Sequence, residues 1–316
     1  MTKPLLALAP MAGVTDAPFR LLCARQGADI TYTEMISAQG MLQAPPNLNA
    51  YRFLTQVWPG EGKVVAQVFG TVPEYLSEAA KRLADMGCFA GIDINMGCPA
   101  HKVTGGGSGS ALMKEPDLAR ELMRAVRQAV SCPVTVKLRL GWDSFTADTF
   151  AIMAQEEGLN GVSVHGRTRM QQYMGKADWQ AIAQVKQAVA IPVYANGDVF
   201  SAQDGLDILK ATGCDGILIG RGALGNPWLF GQIKQAMDGS GIPPPTPQEV
   251  VALALEHGRM MVDWKGEKHA VVEMRKHFAW YLKGMRGAAK ARTAINHAET
   301  MSQVEDILQS FCEAQE

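Results

Sequence analysis

From Leu5 to Gly222 the chain alternates between short runs rich in Val, Ile and Leu and longer stretches whose apolar residues recur at helical spacing. The short runs are Leu5–Pro10, Asp29–Met35, Lys63–Gly70, Gly91–Gly97, Pro133–Gly141, Gly161–Arg167, Ile191–Asp198 and Asp215–Gly222, and each predicts a strand. Between them, stretches such as Pro73–Met86, Pro116–Val130 and Trp179–Val189 predict helices, several opening on proline or a Ser/Asp cap. Eight such units favour an α/β fold closed into a (β/α)8 TIM barrel over a doubly wound sheet.

The alternation stops at Gly239–Pro247, a run too dense in Gly and Pro to continue a helix or a central strand. Beyond it no strand pattern remains. Val250, Leu253, Ala254 and His257, then Val272, Phe278, Trp280 and Leu282, predict a small helical bundle. The expected organisation is a catalytic barrel over residues 1–238, a linker at 239–247 and an all-helical domain at 248–316.

Composition narrows the class. With 316 residues, 47 % hydrophobic and 19 % charged, the chain can bury a large core. A net charge of −1 excludes a globally basic nucleic-acid binder, so any such role must rest on local charge. Six cysteines without tight pairing do not form a disulfide framework, and Cys23, Cys88, Cys132 and Cys214 read as ordinary buried thiols. Met1-Thr2-Lys3-Pro4 leads straight into a strand. No signal peptide or bilayer-length apolar run is visible, so a cytoplasmic setting without membrane contact is expected.

Side chains alternate between the faces of a strand. In the fifth predicted strand Val134, Val136 and Leu138 share one face, which leaves Lys137 and Arg139 to point into the barrel. The same alternation aims Gln67, Asn95, His165 and Asn196 inward near the C-terminal strand ends, where barrel enzymes keep their chemistry. Each alone could be a satisfied core polar group. Six at matching ends, two of them cations, imply an anionic or strongly polar ligand.

The loops after the last two strands carry Asn196-Gly197-Asp198 and Gly220-Arg221-Gly222, at the customary phosphate position of a barrel. A phosphate-bearing cofactor is implied. Gly220 to Gly225 also matches G-x-G-x-x-G, but no second strand with a ribose-binding acid follows. Gly105–Ser110 lacks the Lys-Ser/Thr end of a P-loop and reads as a mobile loop over the mouth. Cys98 ends the fourth strand near Lys102, Arg139 and Arg167. It suits a nucleophile or a proton donor, and no partner cysteine stands at metal-ligand spacing.

Ala9-Pro10-Met11-Ala12-Gly13-Val14-Thr15-Asp16, Thr33-Glu34-Met35, Asp93-Ile94-Asn95-Met96-Gly97-Cys98-Pro99, Lys137-Leu138-Arg139, His165-Gly166-Arg167-Thr168, Asn196-Gly197-Asp198 and Gly220-Arg221-Gly222 together resemble the bacterial tRNA-dihydrouridine synthase family, most of all its B-type branch. The resemblance spans essentially the whole chain. It implies bound FMN, reduced by NADPH, passing hydride to C6 of a uridine in tRNA while Cys98 protonates C5. By the same analogy Pro10, Met11, Ala12, Gln67 and Lys137 meet the flavin, and His165, Asn196, Gly197, Asp198, Gly220 and Arg221 hold its ribityl phosphate. Asn95 and Arg139 would face the target base, with Lys102 near the entering RNA and Arg167 among the substrate- or RNA-binding residues. No metal is expected, and the chain is expected to act as a monomer.

From Arg259 to Arg292 nine basic residues stand against three acidic ones, with Trp264, Phe278, Trp280 and Tyr281 interleaved. That stretch, Arg275 and Lys276 included, reads as a clamp on an RNA backbone, the plainer alternative being a solvated helical face. His257, His269, His277 and His297 make no metal set and read as surface or interface residues. A flavin barrel acting on a small molecule would share Lys137 and the phosphate loops but leave the basic tail unused.

Overall fold

The computed structural model describes residues 3–44, 49–241 and 243–315. Met1, Thr2 and the linker residue Ile242 lie outside the described residues. The chain forms two compact units, Met1–Arg221 and Gly222–Glu316.

In the first unit β1 (Leu5–Leu8), α1 (Ala17–Arg25), β2 (Ile30–Tyr32), β3 (Ile36–Ser37), α2 (Ala38–Gln43), α3 (Asn49–Thr55), β4 (Lys63–Phe69) and α4 (Pro73–Asp85) come first. Then follow β5 (Gly91–Met96), α5 (His101–Thr104), α6 (Pro116–Ala129), β6 (Val134–Arg139), α7 (Ala147–Glu156), β7 (Gly161–His165), α8 (Trp179–Ala188), β8 (Val193–Asn196), α9 (Ala202–Thr212) and β9 (Gly216–Ile219). All strand pairs are parallel, and pairing of β2 with β4 closes the sheet into a barrel. β2 and β3 both lie along β4 and together fill one of eight positions. The sequence predicts one strand there; it breaks at Thr33, whose hydroxyl takes the Gln67 N–H at 3.0 Å in place of the ladder.

Two-residue alternation sorts the strand side chains. Leu6, Leu8, Val64, Ile92, Ile94, Val136, Val162 and Ile217 point outward and are buried beneath the helices. Helices α4 and α6 seal that layer with Leu76, Leu83, Leu122 and Val126, each worth about 1.5–3 kcal/mol of burial. Inside, Ala7, Ala9, Tyr32, Val65 and Leu218 fill the barrel's apolar half. Of the thiols expected to be buried, Cys23 and Cys214 are; Cys88 is exposed in the turn after α4, and Cys132 is half-buried before β6.

The second unit holds α10 (Leu229–Met237), α11 (Pro247–Lys265), α12 (Glu267–Tyr281), α13 (Ala288–His297) and α14 (Met301–Glu313). It therefore begins ahead of the Gly/Pro run and takes in α10. Thr246 ends that run by capping α11 in a reciprocal box with Glu249. The helices close on Met261, Met274, Phe278, Ile295, Val304 and Leu308. His257 and His277 correct the surface reading: both are buried, because Val250–Ala254–His257–Met261 and Ala270–Met274–His277–Tyr281 are the inward stripes of α11 and α12. Their rings meet edge to face at 4.7 Å, and His257 Nδ1 lies 3.2 Å from the Tyr281 hydroxyl.

Candidate active site at the barrel mouth

Strand register brings the six inward polar residues together. Asn95 lies opposite Lys137, Arg139 opposite His165, and His165 opposite Asn196. The Gln67 amide bridges two neighbours on β5, giving a hydrogen bond to Asp93 at 2.7 Å and taking one from Asn95 at 2.8 Å. Across the mouth, Lys137 Nζ donates to Asn196 Oδ1 at 3.1 Å, and Asn196 in turn donates to the Leu218 carbonyl at 2.8 Å. No carboxylate pairs with Lys137 among the described residues. Burial, and then the charge of Arg139, bring its ammonium down from 10.5 to about 8.

Cys98 sits past the end of β5 on a loop held from both sides. Asn95 Oδ1 accepts the N–H groups of Gly97 and Cys98 at 3.1 and 3.0 Å, while the Cys98 carbonyl accepts the Ser110 N–H and hydroxyl at 3.1 and 2.9 Å. The glycine run read as a mobile loop is thus half structural. Ser108, Gly109 and Ser110 are buried, and a 3₁₀ turn, Gly109–Lys114, follows. Gly109 has φ +62°, and a Cβ there would lie 2.8 Å from the Cys98 carbonyl oxygen.

The arginines divide. Arg139 is buried, with Nε bonded to the Gly97 carbonyl and Nη1 to those of Thr168 and Gln172; among the described residues Nη2 has no acceptor. Arg167 is equally buried and engaged by the carbonyls of Met174 and Gly175, by Asp198 at 2.6 Å and by His165 Nε2 at 3.4 Å. Arg167 therefore fastens loops with four of its five donors, which leaves one Nη1 N–H without an acceptor among the described residues. Arg221 is 42 % exposed, pairs with Asp198 at 3.0 Å and lies over the rings of Tyr173 and Phe200. Burial pushes His165 well below its ordinary value, the surrounding cations Lys137, Arg139, Arg167 and Arg221 add to this, and the ring is neutral. Burial raises Asp198, but the Arg167 bond, the Ala177 N–H and the charges of Arg167 and Arg221 outweigh it and hold the carboxyl below the usual range.

The phosphate-type loops come together at one edge of the mouth. Gly197 has φ +131° and Asp198 φ +57°, both conformations that ordinary side chains avoid. A Cβ on Gly197 would strike Ala177 at 2.7 Å. Among the described residues the backbone N–H groups of Gly197, Gly220 and Arg221 have no acceptor. Acceptor-hungry amides beside Arg221, and a half-buried ammonium with no carboxylate at ion-pair distance, fit a ligand with an anionic tail and an electron-rich ring. Pro10 and Met11 are half-buried on the loop after β1, whereas Ala12 and Lys102 are exposed. In the second unit Lys276 is exposed, but Arg275 is half-buried and donates to the Ala298 carbonyl at 3.0 Å.

Comparison with known proteins adds to this geometry. The family described as Dihydrouridine synthase (Dus) matches residues 7–316. The chain is 42 % identical over 301 residues to tRNA-dihydrouridine synthase B of Xanthomonas axonopodis pv. citri, covering 94 % of this chain and 89 % of that protein. It is 41 % identical over 315 residues to tRNA-dihydrouridine synthase B of Pseudomonas aeruginosa, covering 98 % and 93 %. Among solved structures, histamine dehydrogenase from Rhizobium sp. 4-9 superposes with a TM-score of 0.57 at 11 % identity, over 86 % of this chain and 48 % of that one. A 2-naphthoyl-CoA reductase gives 0.55 at 12 %, over 74 % and 50 %. At such identities these two likenesses, each spanning about half the larger protein, bear on the fold alone.

Proposed function

The chain belongs to the dihydrouridine synthase family, and from that premise we propose that it reduces the C5–C6 bond of a uridine in tRNA to 5,6-dihydrouridine, using FMN as its flavin and NADPH as reductant. The observation that carries the reading is the pairing of a half-buried ammonium with no carboxylate at ion-pair distance, Lys137, with a cysteine loop clamped by Asn95 and Ser110 at the same mouth.

Residues 1–238 do the chemistry in this reading, and 248–316 hold the tRNA. FMN, bound there, would supply two-electron chemistry with NADPH as the reductant. Lys137 would stabilise negative charge on the reduced ring as a preorganised cation. Gln67 and the Pro10–Ala12 turn orient the ring. His165, Asn196 and Asp198 would take the ribityl chain, and Arg221 with the N–H groups of Gly197 and Gly220 would hold its phosphate. Asn95 and the free Nη2 edge of Arg139 face the flipped base. Arg167 keeps Asp198 in place, and Lys102 lies on the RNA approach. Cys98 gives its S–H proton to C5.

Mass spectrometry of nucleosides from unmodified tRNA, incubated with the protein and NADPH, tests the reading: uridine must gain two hydrogens. Cys98→Ala is expected to keep flavin binding and NADPH oxidation by oxygen while product formation falls about 10²–10⁴-fold. Product at the wild-type rate would remove Cys98 from the proton-donor role.

A further inference from the structure

Beneath these residues lies an acid that the proposed chemistry does not use. Asp93 is two residues before Asn95, on the same face of β5 and one layer deeper, and it is fully buried. No cation stands at ion-pair distance from it among the described residues. Its oxygens accept from neutral donors: Oδ2 from Gln67 Nε2 at 2.7 Å and Oδ1 from Thr135 Oγ1 at 2.6 Å. A buried carboxylate so placed is costly, and burial lifts it from 3.8 to about 6 despite those bonds and the charge of Lys137.

An ionised carboxylate only accepts. Gln67 must therefore turn its NH2 group down to Asp93 and its carbonyl oxygen up, where it accepts from Asn95 Nδ2 at 2.8 Å. Asn95 is left with its oxygen toward the strand end, where it takes the N–H groups of Gly97 and Cys98. Three side chains on two strands thus carry one donor–acceptor sense from the carboxylate to the cysteine loop. Turning over any one amide would set like groups against each other. The charge of Asp93 also favours the protonated form of Lys137.

We propose that Asp93 is the positioning residue of this site: its carboxylate fixes the amide sense that seats Cys98, and its charge helps keep Lys137 an ammonium. What the seated thiol does rests on the function proposed above. The titratable groups facing Asp93 are Tyr32 from β2 and Lys137 from β6, with Tyr194 of β8 facing Tyr32 in turn. Burial, then the charge of Asp93, raises Tyr32 out of any working range, so it stays neutral.

Two substitutions separate sense from charge. Asp93→Asn keeps the sense, because its oxygen still accepts from Gln67 and its NH2 can donate to Thr135, whose hydroxyl serves either way. Asp93→Leu removes both. The first readout is the thermal midpoint of the purified protein against pH, which requires no turnover. The folded carboxyl titrates above its unfolded value, so the wild type loses stability relative to Asp93→Asn as pH rises from about 4 to about 6, and the gap then persists to pH 8. A gap independent of pH would overturn the buried-charge role.

The second readout separates the half-reactions by stopped flow. In Asp93→Leu, flavin reduction by NADPH should change less than about 3-fold, while reoxidation by tRNA slows about 10²-fold through misplacement of Cys98. In Asp93→Asn, reoxidation at pH 7 should hold within the same narrow factor as its alkaline limb moves about one pH unit lower. Wild-type reoxidation in Asp93→Leu overturns the seating role, and an unmoved limb in Asp93→Asn overturns the charge role. If Asp93→Leu fails to fold, Asp93→Ser, whose hydroxyl can donate as well as accept and so no longer fixes the sense of the Gln67 amide, must give the same split. Should tRNA never reoxidise even the wild type, the proposed function fails, while the pH-dependent midpoint still judges Asp93.

Discussion

Lys137 shows what a single half-buried side chain contributes. Its proton is lost as pH rises through about 8 rather than 10.5. Because the unfolded chain binds more protons between those values, stability of the fold rises with pH across that window, the mark of a cation kept for something other than stability. If the ammonium is what the reaction needs, dihydrouridine formation falls as pH climbs through about 8, and Lys137→Arg, whose charge persists, flattens that limb even if its ceiling is lower. A pH–rate profile from 6 to 10 checks this, and an identical limb in Lys137→Arg would assign the loss to another group. At this scale alternation along the strands made Lys137, Gln67, Asn95, His165 and Asn196 legible, since a side chain's face follows from its parity. Asp93 obeys the same parity as Asn95, yet it lies below the strand end and only its hydrogen bonds reveal its reach. Arg139 and Arg167 were placed but not understood: which carbonyls they clamp depends on loops whose course the sequence does not encode locally.

Glycine is where elements and sequence part company. In the run Gly105-Gly106-Gly107-Ser108-Gly109, a residue chosen for freedom cannot be told by its letter from one chosen for a left-handed turn. Gly106 faces open space but for one carbonyl at 3.8 Å, whereas Gly109 needs φ +62° and packs against Cys98 and Val103. Gly109→Ala is therefore expected to cost about 1–2 kcal/mol for the backbone alone, with more from the clash, and to shift the Cys98 loop with it. Gly106→Ala should stay within about 0.5 kcal/mol. Urea unfolding midpoints of the two variants decide the matter; equal midpoints would mean the Gly109 turn relaxes without harm. The strands and principal helices were easier to read, because eight outward apolar faces and their covering stripes repeat a period that no turn residue can imitate. The split of the second strand at Thr33 was not, since it hangs on a bond to Gln67 from a neighbouring strand.

At the scale of the whole molecule the charge is uneven, and this unevenness is what the sequence shows without help: nine basic against three acidic residues from Arg259 to Arg292, in a chain of net charge −1. Folding spends part of it. Lys265 pairs with Glu273, Arg259 with Glu305, and Arg275 is drawn in toward the Ala298 carbonyl. Lys268, Val272 and Lys276 remain exposed at four-residue spacing, on one face of α12. Reversing Arg275 would confound RNA binding with folding, so the informative variant is the pair Lys268→Glu and Lys276→Glu, whose exposure leaves the core untouched. If this face neutralises two phosphates, tRNA affinity drops and the slope of log K against log salt becomes shallower by about 2, since each phosphate contact contributes about 0.9. Filter binding at several salt concentrations, with thermal unfolding as the control for integrity, gives both numbers. Unchanged slope and affinity in an intact variant would make this face solvated helix and move the search for the phosphate clamp to the cations Lys283, Arg286 and Lys290 that follow α12.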